Sequence, residues 1–131
     1  MSSRLLNHLH FAVPIAVTLG LALAGMARAA GPFDGTYRGS QTVLRNSNYQ
    51  GCIDRTDIVL IIRNNHFTRQ WVGNVIDVDV AGDGTFTKTA SFEAGRNRQA
   101  TLTVTGKIAS ASLEADIGSD RCRMHLSLRK S

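Results

Sequence analysis

Beyond residue 30 this chain has no stretch of sustained helical periodicity, which excludes a helix bundle. Cysteine is scarce: Cys52 and Cys122 are the only two, and neither sits in a Cys-x-x-Cys pair. That argues against zinc-ribbon and dithiol redox chemistry. His125, three residues after Cys122, is the one metal-type neighbour at short range. No Gly-x-Ser-x-Gly elbow and no His-Glu-x-x-His pair is present, and beyond the first thirty residues the histidines are His66 and His125. The serines and aspartates fall mostly in turn-like stretches, where they serve as turn residues. No catalytic residue, metal or cofactor is therefore expected. Asp77-Val-Asp79-Val-Ala-Gly-Asp83-Gly84 resembles a calcium loop only faintly, since Ala81 and Ala90 stand where oxygen ligands are needed.

What is present begins with a leader. Met1 to His10 carries Arg4 and no acid, Phe11 to Met26 is apolar apart from Pro14, Thr18 and the glycines, and Ala27-Arg28-Ala29 follows. This is the order of a secretory signal peptide with a small-x-small cleavage site. The apolar run is shorter than the roughly 20 residues of a spanning helix, so residues 1–29 are expected to be removed and no membrane span to remain. The chain from Ala30 to Ser131 then has 102 residues, enough for one domain (30–131) and too few for two. Loss of Arg4 and Arg28 lowers the formal charge from +5 to +3, thirteen basic against ten acidic residues. That excess is too mild for a nucleic-acid binder. Export implies a periplasmic or extracellular setting.

In such a compartment two cysteines pair. A Cys52–Cys122 disulfide is worth about 4 kcal/mol in the loop-entropy model, a large share of the roughly 5–15 kcal/mol of an ordinary domain.

The remaining chain is a succession of alternating runs and turns. Phe33–Val43 opens, and Asp57–Arg63 follows with Ile58, Leu60 and Ile62 on one face. Asn64-Asn65 makes a two-residue hairpin turn. Later runs cover 66–72, 75–80, 85–92, 100–108, 112–117 and 121–129, parted by Gly73-Asn74, Gly82-Asp83-Gly84, the polar stretch Glu93–Gln99, Ala109–Ala111 and Gly118-Ser119-Asp120. The pattern predicts an all-β fold, about eight antiparallel strands in an up-and-down meander that closes into a small barrel. A two-layer sandwich is the alternative architecture. An outer-membrane barrel is disfavoured by short strands and charged outward faces.

Phe33-Asp34-Gly35-Thr36-Tyr37 followed by Gly39 resembles the Gly-x-aromatic opening strand of lipocalin-like and avidin-like barrels. The resemblance implies a barrel and a binding role. It does not extend to biotin, because avidin-like pockets use several tryptophans and this chain has only Trp71.

Two cations stand in aromatic phases. Arg69 lies between Phe67 and Trp71, and Lys88 between Phe86 and Ala90. If those phases face inward, both charges enter the mouth of the fold and need a partner. The expected site is a mouth lined by Tyr37, Arg69, Trp71 and Lys88, binding a small anionic or amphipathic ligand. The competing expectation is that both cations extend to solvent at the rim. A second function class is a protein-binding module: a hydrolase inhibitor or an envelope component, using the loops Asn46–Gly51 and Glu93–Gln99 or an aromatic patch of Phe67, Trp71, Phe86 and Phe92.

Overall fold

The structure is a computed structural model that describes residues 30–71, 73–93 and 95–131. The expected leader over 1–29 lies outside the described residues. Eight strands follow in order: β1 (Gly35–Asn46), β2 (Arg55–Ile62), β3 (His66–Trp71), β4 (Asn74–Asp79), β5 (Thr85–Glu93), β6 (Gln99–Ala109), β7 (Ser112–Gly118) and β8 (Cys122–Lys130). All pairings are antiparallel, and the described residues contain no helix.

Alternation of side chains places the core. β2 buries Ile58, Leu60 and Ile62, β6 buries Leu102, Val104 and Ile108, and β8 buries Cys122, Met124, Leu126 and Leu128. Phe67, Trp71, Ile76 and Val78 of the β3–β4 hairpin join the same apolar cluster. Phe67 meets Phe86 edge to face, with ring centroids 5.3 Å apart. The turns follow the chemistry of their residues. Asn64 and Asn65 both adopt positive φ (53° and 56°). The Asp34 carboxylate accepts their backbone N–H groups at 2.7 and 2.9 Å, and these bonds hold its pKa below the usual carboxylate value. Cys52 and Cys122 are bonded, with Cα atoms 5.8 Å apart.

β1 sits between β2 and β8, so the sheet curls until the first and last strands are neighbours. The β1–β8 approach depends on Gly39: a Cβ there would stand 2.1 Å from the Ser127 carbonyl oxygen. The expected barrel nevertheless does not close. Hydrogen bonds link β2-β1-β8-β7-β6-β5 into one six-stranded sheet and β3-β4 into a separate hairpin. Two seams remain. β2 and β3 share one bridge, Arg63 with His66, beside their turn. β4 and β5 meet at theirs, where the Ala81 N–H donates to the Thr85 carbonyl at 2.8 Å.

Each opening has on one of its strands a cation flagged in the sequence. Arg69 stands in the core-facing phase of β3, and Lys88 in that of β5. A fully bonded ladder at either place would seal a charge from water at a cost of several kcal/mol. A parted seam leaves each a route outward.

Candidate functional site

The two seams treat their cations differently. Lys88 is exposed on β5 and reaches solvent. Arg69 stays half-buried. Its Nη2 donates a short hydrogen bond to the Oε1 of Gln41. Gln41 is itself 4% exposed and, among the described residues, is the one buried polar side chain of the core. Its Nε2 donates to the Ile53 carbonyl at 2.8 Å. The Nε–H of Arg69 is buried and has no hydrogen-bond partner. Arg69 makes no salt bridge among the described residues. No residue outside the described set is acidic either, since 1–29, Val72 and Ala94 contain no Asp or Glu. Burial first, and the like charge of Arg55 second, push the guanidinium below its ordinary pKa.

Arg69 faces a cavity of about 510 Å³ at the open end of the β2–β3 seam. Arg55 and Arg69 are its charged residues, Gln41 and Gln70 its amides, and Tyr49, Trp71 and Met124 its larger nonpolar surface. A second cavity of about 320 Å³ shares Tyr49 and Trp71 and adds Phe92, two acids (Glu93, Asp120) and two arginines (Arg98, Arg121). The first has only arginines for charge in its lining, of which Arg55 meets the Asp57 carboxylate at 3.4 Å, and the second is balanced in charge.

Local structure holds the shared wall in place. The Asn46 side chain accepts from the Tyr49 N–H at 2.8 Å and donates to the Cys52 carbonyl at 3.0 Å, closing the 46–52 loop on itself. The disulfide and the Ser47 N–H bond to the Arg121 carbonyl (2.8 Å) tie that loop to the turn before β8. Arg45 adds a bond to the Asp120 carbonyl at 2.8 Å.

Of the four residues expected at the mouth, the structure brings Arg69 and Trp71 together and places the other two elsewhere. Tyr37 is 1% exposed and belongs to the core, where its hydroxyl donates to the Phe33 carbonyl at 2.9 Å. Lys88 turns outward because its strand borders the other seam. Sequence reading missed Gln41, Arg55 and Tyr49. Gln41 carried a signal, being a large polar side chain in the inward phase of Tyr37 and Gly39. Tyr49 carried a weaker one, as an aromatic in a polar loop. Both loops singled out as partner-binding, 46–51 and 93–99, contribute to the second cavity.

A second cluster lies on the outer face. His125 places Nδ1 2.7 Å from Asp116 and Nε2 2.8 Å from Glu114. Arg123 adds a bond to Asp116 at 3.1 Å. The bond to Asp116 does most to raise the His125 pKa; burial opposes it, and the bond to Glu114 raises it further. The same imidazole holds Asp116 below the usual carboxylate range. In its protonated form the imidazole donates from both ring nitrogens and has no lone pair to act as a base. The Ser127 hydroxyl donates to Glu114 at 2.8 Å rather than to the ring. The cluster is a charge clamp across β7 and β8, not a nucleophile–base pair. Among the described residues no group of three or more His, Cys, Asp or Glu is placed to hold a metal.

Comparison with protein-family models, curated proteins and solved structures finds no match to this chain.

Proposed function

We propose that this protein is an exported, non-enzymatic binding module for a small acidic ligand, held at Arg69 in the open β2–β3 seam. The observation that carries this reading is the guanidinium itself. It is half-buried, bonded to a neutral amide, left with a buried and unpartnered Nε–H, and part of a cavity lining without acids. A buried charge without a counter-charge is costly, and an anion entering the cavity supplies it. A carboxylate suits the planar fork of an arginine. The volume lies within the roughly 300–1,000 Å³ of small-ligand pockets. Export is supported by the Ala27-Arg28-Ala29 pattern and by the disulfide, which persists in oxidising compartments.

Thermal denaturation of the purified protein with acetate, benzoate and inorganic phosphate, against chloride at equal ionic strength, tests the proposal. At least one of these anions is expected to raise the midpoint of the native protein and to leave that of Arg69→Met unchanged. Equal behaviour of the two proteins in every anion would sink it.

A further inference from the structure

We infer that the acidic ligand is a short aliphatic dicarboxylate, with one carboxylate held by Arg69 and the other by Arg55 in the same cavity. The inference rests on the anion reading above and adds the class of the molecule and a second binding residue. Its starting point is an irregularity in β2. From Gly35 with Ile62 to Gly39 with Ile58 the β1–β2 ladder keeps one register, and then Gln41 stands opposite Arg55. Ser40 alone on β1 thus faces both Thr56 and Asp57, the two-against-one count of a β-bulge. Without the extra residue, Arg55 would keep the phase of Asp57, Val59 and Ile61, which are exposed. With it, Arg55 shares a face with Gln41, because directly opposed residues of an antiparallel pair project to the same side. Gln41 is the residue that holds Arg69. The bulge therefore sets a second arginine beside the amide that anchors the first, and both line the cavity of about 510 Å³.

The two cations act on each other. After burial, the like charge of Arg55 is what lowers the Arg69 pKa, and among the described residues no carboxylate opposes it. Neither arginine is fully occupied. Arg69 keeps an unpartnered Nε–H. Arg55 has one contact to Asp57 at 3.4 Å, between side chains that are both exposed, and a pair of that kind contributes little. A monoanion at Arg69 leaves the charge of Arg55 unanswered, whereas a dianion meets both. The rest of the lining selects the kind of dianion. Ile53 and Met124 have no donor for the additional oxygens of a phosphate, but they pack on methylenes. The planar fork of an arginine suits a carboxylate at each end. The ligand is thus charged at both ends and nonpolar between.

The test is calorimetric titration of the purified protein at neutral pH with succinate, glutarate and adipate, each against the monocarboxylate of equal length (butyrate, pentanoate, hexanoate), and with inorganic phosphate. At least one dicarboxylate is expected to bind about tenfold more tightly than its monocarboxylate, the factor that one further charged contact supplies. Arg55→Gln brings that dicarboxylate to the affinity of its monocarboxylate. The same variant retains monocarboxylate binding, which shows that it is folded. Asp57→Asn, which frees Arg55, tightens the dicarboxylate and not the monocarboxylate. Arg69→Met removes both. Dicarboxylates that bind no tighter than monocarboxylates, with Arg69 still required, overturn the dicarboxylate and leave the anion reading standing. Phosphate binding more tightly than every dicarboxylate does the same, as does a dicarboxylate preference that survives Arg55→Gln. Absence of Arg69-dependent binding for every anion overturns both.

Discussion

The β2–β3 and β4–β5 seams begin alike and end differently. Each opens from a tight turn, and each has a long cation in the inward phase beside an aromatic residue: Arg69 after Phe67, Lys88 after Phe86. Lys88 reaches water, leaving no charge behind in the core. Arg69 is caught by Gln41, two strands away on β1, and stays within. The difference lies in the neighbour, not in the pattern around the cation. A buried amide in β1 gives the guanidinium one good contact and keeps it facing a cavity. The closed side of the sheet shows the other resolution, since Arg123 and His125 there are met by Asp116 and Glu114 at 2.7–3.1 Å.

The largest way to break this contrast is to cut the disulfide. It anchors the loop that walls the Arg69 seam and is remote in sequence from β5. Changing both cysteines to serine is expected to lower stability by about 4 kcal/mol in urea denaturation. Amide exchange should speed up across 46–55 well before it does along β5, and acidic-ligand binding should weaken.

Charge removal sharpens the contrast next. Without ligand, the double change Arg69→Met with Gln41→Leu is expected to raise stability by about 1–4 kcal/mol, because the charge and the amide it would leave unmet are replaced together. Lys88→Met, at an exposed position, should change it by no more than about 0.5 kcal/mol. Equal effects in paired melts would show that the two seams do not differ in the way described.

A smaller effect tests whether turn chemistry opens the seams. The fully paired β6–β7 ladder turns through Ser110 and Ala111 at φ 48° and 63°, an unfavourable region for side chains other than Asn, Asp and Gly. Ala111→Gly should stabilise by about 1 kcal/mol. A loss of stability would mean that the turn relies on the alanine side chain.

The smallest expected effect belongs to the clamp. His125 has a raised pKa in the fold, so its contribution is complete below its unfolded value near 6.5 and is lost as pH climbs through the raised value. Asp116, with a lowered pKa, contributes above about pH 4 and loses that contribution as pH falls through its lowered value. Urea midpoints at pH 5.5 and 8.5 should therefore favour the lower pH by under about 1 kcal/mol, given solvent screening of these half-exposed groups. His125→Gln should reduce that difference.

Much of this arrangement was legible in the chain. Alternation placed Ile58, Leu60 and Ile62 on one face of β2, and paired asparagines marked the turn that Asp34 braces. Two cysteines in an export context pointed to the bond that is found. The openness of the ring was not legible, because alternation says which face a residue takes and not whether a neighbouring edge bonds to it. Tyr37 misled for a related reason. Its phase was right, but its depth in the core follows from the pairing of β1 between β2 and β8, a relation between distant parts of the chain. Arg69 and Trp71 line one cavity, and the chain shows them on one face because a charge in an aromatic phase is visible locally. Gln41 was overlooked because its importance appears only once β3 lies against it.

The position of β1 has a consequence for how the molecule comes into being. Its ladder to β8 joins Tyr37 to Lys130 and Asn46 to Cys122, so an interior ladder of the sheet is assembled from the two extremes of the described chain. As the polypeptide emerges from its N-terminal side, β2 can pair with β1, but the other flank of β1 must wait until β8 arrives. Assembly of the sheet thus waits on β8, and without that strand β1–β2 and β5–β7 would stay unjoined and Cys52 would lack its partner.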